Sequence, residues 1–331
     1  MSGPVLALVA VSAGAPERAS LEALSLARGL AVATGAPLEV LLVVGPADAR
    51  SAAGTLAGSG VTTALVVENA TLSLDHPDGW AAATTRVIEA RGPSAVVGAG
   101  TERGNDLLAR VAARLSLPLA VNVVSVVPGD RLRLVRQRWA GSLLEECWLD
   151  AAIPLLTVAP NAVSVAEPDG GPAPAVESLA VELVSADLAV HVTSREPPER
   201  GRISLADAKV VVGGGRGVGS GPGFADLEEL AGLLGGAVGG SRVVTSAGWR
   251  PHADQIGQTG LRIAPDIYIA CGISGAIQHI VGCKAAKIIL AINTDEEAPI
   301  MSVADYAVIG DLHAVVPAIS AEIRRRSGAG A

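Results

Sequence analysis

Three short apolar runs near the C-terminus, Ile267–Ala270, Ile288–Ile292 and Ala307–Ile309, most constrain this chain. Brief apolar runs bounded by turn residues mark strands buried on both faces, as in parallel sheets covered by helices. Each run ends in a polar cluster: Gly272-Ile273-Ser274-Gly275-Ala276-Ile277-Gln278-His279, then Asn293-Thr294-Asp295, then Asp311. Gln255-Ile256-Gly257-Gln258-Thr259-Gly260 lies just upstream. In open parallel sheets ligands bind beyond the carboxyl ends of the strands, so these clusters define one candidate site.

The side chains narrow the ligand. Ser274, Gln278, Thr259, Gln258 and Asn293 offer neutral donors and acceptors, while Gly272 and Gly275 let backbone N–H groups approach an anion at the start of a helix. Arg242 and His279 add donors able to carry positive charge. The mixture suits a large cofactor with a diphosphate and a polar heterocycle. It suits a hydrolase poorly, because no nucleophile is flanked by an obvious base.

The preceding chain alternates strand and helix patterns. Val5–Val11, Leu38–Val44, Ala64–Val67 and Ser94–Ala99 read as strands, and Glu17–Thr34, Gly79–Ala90 and Asn105–Leu115 as helices. Val121–Val127, Leu132–Val135 and Leu155–Val158 follow with little helix between them, so the sheet is expected to close with antiparallel strands. Trp139 and Trp148 are expected to pack at a domain seam. Arg136–Ser142 reads equally as a partner-facing segment or a solvated hairpin. Residues 160–178 are rich in Pro, Gly, Ala and Glu and read as a linker; Val181–Val192 reads as an edge strand, and Arg195–Gly201 as a second linker. The second domain opens on Lys209–Val212, the glycine turn 213–219 and the helix Phe224–Leu234. Ala237–Thr245 is its next strand, a helix starts at Ser274, and Leu312–Arg325 is the last helix.

The fold class is therefore α/β, with two β/α layered domains, the C-terminal one an open parallel sheet. The expected division is 1–160, an N-terminal α/β domain without cofactor; 161–205, linker and edge strand; and 206–331, the cofactor domain. At 331 residues the chain exceeds the usual single domain. Its formal charge of −8 leaves no electrostatic footprint for nucleic acid. Cys147, Cys271 and Cys283 form no metal or redox pair, and Cys271 reads as inert core. No apolar run reaches the ~18 residues of a membrane span, and the N-terminus lacks a signal pattern, so a cytoplasmic protein is expected.

Arg216 in its glycine turn, Ser241-Arg242, the segments 255–260 and 272–279, Glu297-Ala298-Pro299-Ile300 and Ala304-Asp305-Tyr306 together resemble the alpha subunit of electron transfer flavoprotein. The resemblance spans about Val210 to Asp311. It implies FAD in the C-terminal domain and a heterodimer whose beta subunit covers the flavin and carries AMP. It implies FAD contacts at Arg216, Ser241, Arg242, Gln255, Gln258, Thr259, Gly272, Ser274, Gly275, Ala276, Gln278, His279, Asn293 and Asp311. Ser274 and nearby amides would hold the diphosphate, Asn293 and Asp311 the adenosine half, and Thr259, Arg242 and His279 the isoalloxazine. The implied role is an electron carrier rather than an enzyme with its own substrate. Electrons would enter from flavin-dependent dehydrogenases and leave to a quinone-reducing or other acceptor.

The chain departs from the family pattern at Leu261, Ser246 and His313. Alternatives that stay open are a specialised or bifurcating branch, a nicotinamide dehydrogenase using the 213–219 turn, and a flavin-free structural paralogue.

Overall fold

The computed structural model describes residues 3–69, 71–72, 76–141, 143–193 and 203–328. The chain forms two compact units, 1–195 and 196–331. The expected linker Arg195–Gly201 lies outside the described residues, as does Ser142 at the end of the Arg136–Ser142 segment.

The first unit runs β1 (Val5–Ser12), β2 (Ala15–Pro16), α1 (Arg18–Thr34), β3 (Leu38–Val43), α2 (Pro46–Gly54), β4 (Thr63–Glu68), α3 (Pro77–Arg91), β5 (Ala95–Ala99) and α4 (Glu102–Leu115). It continues with β6 (Leu119–Val127), β7 (Leu132–Arg138), β8 (Leu143–Leu149), β9 (Leu155–Val158) and β10 (Ala175–Ala180). The strand order is β10-β4-β3-β1-β5-β9-β6-β7-β8, with β2 paired to β1. Every residue of β3 and β5 is buried, as expected of strands covered on both faces.

Two expectations change here. The expected antiparallel closure is confined to β7 and β8, because β9 inserts parallel between β5 and β6. Trp139 and Trp148 are 80% and 58% exposed on this outer sheet extension. The edge strand expected over Val181–Val192 lies instead at Ala175–Ala180, parallel to β4. Ion pairs tie that region to the first unit, since Arg91 bridges Glu39 and Glu177, and Arg28 reaches Asp169. These polar anchors are invisible to apolar periodicity.

The second unit runs β11 (Val210–Gly214), α5 (Ala225–Leu233), β12 (Ala237–Gly240), α6 (Arg242–Ser246), β13 (Ile267–Cys271), α7 (Ile277–Cys283), β14 (Ile288–Asn293), β15 (Tyr306–Ile309) and α8 (Leu312–Gly328). All five strands are parallel in the order β12-β11-β13-β14-β15. Successive strand residues feed opposite cores, which the two-residue period of a strand requires. Val211, Tyr268 and Ala270 enter one core with Ile263 and Cys283; Val212, Ile269 and Cys271 enter the other with Phe224, Leu227 and Leu312.

Two boundaries differ from expectation. The strand Ala237–Thr245 stops at Gly240, and Val243-Val244-Thr245 is helical despite its β-branched residues. Val244 alone of the three is fully buried, on the inner face of α6. Local preference yields there to tertiary packing. Likewise α7 begins at Ile277 rather than Ser274, leaving residues 272–276 as a loop after β13. Among the described residues no helix is long and apolar enough to cross a membrane.

Candidate functional site

The carboxyl ends of β11 and β13 meet where the strand order reverses, the usual ligand crevice of such sheets. Here that crevice is filled by backbone. Gly215 N–H donates to Cys271 O at 2.9 Å and Gly217 N–H to Gly272 O at 3.0 Å. A Cβ on Gly215 would stand 2.2 Å from Gly272 O. The glycines of the 213–219 turn thus let two loops touch, rather than forming an open phosphate cradle. Arg216 projects from this turn, exposed to solvent.

The open cleft lies one step away, between the start of α6, the 255–259 loop and the 273–279 loop. Ser241, Arg242, Gln255, Gln258, Thr259, Ser274, Gly275, Ala276, Gln278 and His279 all line it. A shallower extension shares Arg242, Gln255 and Thr259 and adds Thr245, Ser246 and His252. The fold thus gathers ten of the fourteen expected site residues into one groove.

The other four stand at neighbouring strand ends. Gly272 packs on Gly217. Asn293 closes its own turn, donating Nδ2–H to Ile273 O at 3.0 Å and accepting Asp295 N–H at 3.2 Å. Asp311 accepts His313 N–H at 3.0 Å ahead of α8. These bonds give Asn293 and Asp311 structural work of their own.

Inside the cleft a hydrogen-bond chain fixes the polar side chains. Gln255, 3% exposed, accepts Thr245 O–H at Oε1 (2.7 Å) and donates Nε2–H to Thr259 Oγ1 (2.9 Å). Across the cleft, Tyr268 Oη and His279 Nε2 are 2.8 Å apart. Tyr268 is fully buried, its ionisation strongly disfavoured by desolvation, so it stays a neutral phenol. His279 Nδ1 is a buried atom without a close hydrogen-bond partner. Either tautomer of the neutral imidazole satisfies the Tyr268 contact.

The surroundings of His279 limit the positive charge it could carry. Burial lowers its pKa to about 4, against a small opposing pull from the Ile256 backbone. The sign of the linkage follows. A histidine depressed from 6.5 stabilises the fold fully above pH 6.5, and this contribution is lost as pH falls through 4. The loss is about 3 kcal/mol across that window. Urea unfolding of the FAD-free chain between pH 7 and 4.5 is expected to show it, and His279→Gln to flatten that part of the profile. An unchanged profile in the variant would mean that the ring does not titrate on unfolding.

Arg242 is the one permanently charged side chain on the cleft, and no carboxylate lines it among the described residues. The backbone N–H groups of Ser274, Gly275 and Ala276 find no acceptor among the described residues. Free amides, a neutral imidazole and a lone guanidinium together suit an anionic, ring-bearing ligand. Because α7 has only seven residues, the loop amides rather than a helix dipole supply this character.

Sequence reasoning missed Thr245 and Tyr268. Tyr268 left a signal, as an aromatic inside an aliphatic strand in a chain only 2% aromatic. Thr245 left none, because it was read as part of a strand.

Residues 204–284 match the electron transfer flavoprotein FAD-binding domain, and residues 5–184 match the electron transfer flavoprotein domain. Fold and cleft thus define a two-unit α/β flavoprotein whose second unit is the FAD-binding domain. The chain is 38% identical over 326 residues to electron transfer flavoprotein subunit alpha of Mycobacterium tuberculosis, covering 98% of this chain and 99% of the relative. It is 37% identical over 288 residues to that of Bacillus subtilis, covering 87% and 88%. With protein FixB of Clostridium saccharobutylicum it shares 36% over 315 residues, covering 94% and 93%. The chain belongs to the electron transfer flavoprotein alpha-subunit family and carries that family's FAD and electron-transfer role.

Proposed function

We propose that this chain pairs with an electron transfer flavoprotein beta subunit and holds FAD in the cleft between α6, the 255–259 loop and the 273–279 loop. The convergence of ten of the expected site residues on that one groove carries the reading. The free amides and Ser274 suit the diphosphate. Arg242, Thr259 and His279 suit the isoalloxazine, whose negative charge on reduction a nearby cation and donors favour. Asn293, Asp311 and Arg216 sit at adjacent strand ends, where the adenosine half would reach.

The flavin supplies the redox chemistry when bound. The chain's own residues orient it, present donors to it and bias its potential, and none has to act as nucleophile or general acid. In this reading the beta subunit covers the flavin and carries AMP. Electrons arrive from flavin-dependent dehydrogenases and leave to a quinone-reducing or other acceptor. Ser246, one of the departures from the family pattern, lines the outer groove, so it is a place where potential and partner choice can diverge.

The test is a visible absorption spectrum of the chain co-purified with its beta subunit. A flavin band at about one FAD per alpha chain is expected. A folded heterodimer that stays colourless in excess FAD would overturn the proposal.

A further inference from the structure

We propose that Thr245, Gln255 and Thr259 form a reversible hydrogen-bond relay that turns the Thr259 hydroxyl from donor to acceptor when the ring in the cleft is reduced. This rests on the proposed placement of the flavin.

Both ends of the buried Gln255 amide are engaged, Oε1 by Thr245 and Nε2 by Thr259. One lone pair of the Thr259 oxygen takes that incoming N–H, so its own proton points elsewhere, and Thr259 lines the cleft. In this polarity Thr259 donates to the ligand.

A second polarity is built into the same groups. Thr245 Oγ1 also lies 3.1 Å from the Arg242 carbonyl, a second acceptor for its single proton. If Thr245 donates there, its oxygen is free to accept Nε2–H from a rotated Gln255 amide. Oε1 then faces Thr259 and accepts its O–H. The Thr259 lone pair is left facing the cleft. The inversion moves no proton between heavy atoms, since only two hydroxyls and one amide rotate. The Gln255 backbone stays pinned throughout, bridged to Gly240 and accepting Leu261 N–H at 2.7 Å. Rotation is thereby confined to the side chain.

The chemistry of a flavin gives this device a use. An unprotonated ring nitrogen accepts a hydrogen bond, and the same nitrogen donates once reduction has placed a proton on it. A fixed donor would oppose one of the two states, because a buried donor facing a donor leaves both unsatisfied. A relay with two polarities satisfies both. Thr245 and Gln255 are then positioning residues that act through Thr259.

The experiment is a reduced-minus-oxidised infrared difference spectrum of the FAD-loaded heterodimer, made with glutamine ¹³C-labelled at the side-chain carbonyl. The relay gives an isotope-sensitive band pair, because Oε1 exchanges Thr245 for Thr259 as its donor. In Thr245→Val the oxidised-state band alone shifts to higher frequency, since that carbonyl has lost its donor, and Thr245→Ser restores it. The reduced-state band stays in place. Flavin that binds and reduces with no labelled-glutamine bands, or with a band pair indifferent to Thr245→Val, overturns the relay and leaves the flavin site standing. A heterodimer that takes up no flavin overturns both.

Discussion

Gly275→Ala is expected to abolish retention of FAD through purification and to destabilise the second unit by about 2–4 kcal/mol. Gly275 has φ +79°, in the left-handed region that costs an alanine roughly 1–2 kcal/mol. The larger effect is steric. An added Cβ would stand 2.3 Å from Ile300 N and 2.6 Å from Ile300 Cα, both backbone atoms. Ile300 is fully buried, and its N–H donates to Ser274 O at 3.1 Å. Loop and turn therefore cannot separate without losing that bond and opening the core. The displaced segment carries the free amides of Ser274, Gly275 and Ala276. Gly235→Ala is the control: φ is +61°, but nothing lies within 4 Å of its Cβ, so it pays the backbone cost alone and keeps the flavin. Urea midpoints and bound-FAD ratios of the two variants measure the difference. Equal effects would mean that the 273–276 loop does not shape the site.

Arg242→Ala is expected to lower the two-electron potential of the bound flavin by about 20–60 mV, with Arg242→Lys retaining most of the wild-type value. A unit charge about 4 Å from a developing negative charge is worth about 4 kcal/mol at an effective dielectric of ~20. Arg242 is exposed, so solvent screening reduces this to about 1–3 kcal/mol. With no other permanent cation and no carboxylate lining the groove among the described residues, neighbouring side chains do not mask the loss. Spectroelectrochemical titration at low and moderate salt reads it, and the difference should shrink as salt rises. A potential unmoved at low salt would place Arg242 away from the ring.

The strands of both units were legible because burial on two faces leaves continuous apolar runs, and β3, β5, β11, β13 and β14 show them. The site was legible as a set, because polar clusters at the ends of such strands must gather at one edge of a parallel sheet. Less legible was anything fixed by contacts between distant segments. Val243-Val244-Thr245 has the composition of a strand and lies in a helix, because Gly240 ends the sheet and only Val244 packs inward. The glycines at 213–219, which a nicotinamide-binding turn would also carry, bring two loops into backbone contact. His279 is of a type able to carry positive charge, and burial favours its neutral imidazole.

What the sequence by itself determined is the class of fold, the family and the residue types gathered at the groove, since these follow from periodicity and from a run of motifs in fixed order. What only the tertiary structure decided is the electrical and directional state of those residues. Whether a histidine is charged depends on its desolvation, and which way a hydroxyl donates depends on who fills its lone pairs. Both are properties of atoms brought together from separate parts of the chain, and a linear sequence does not hold them.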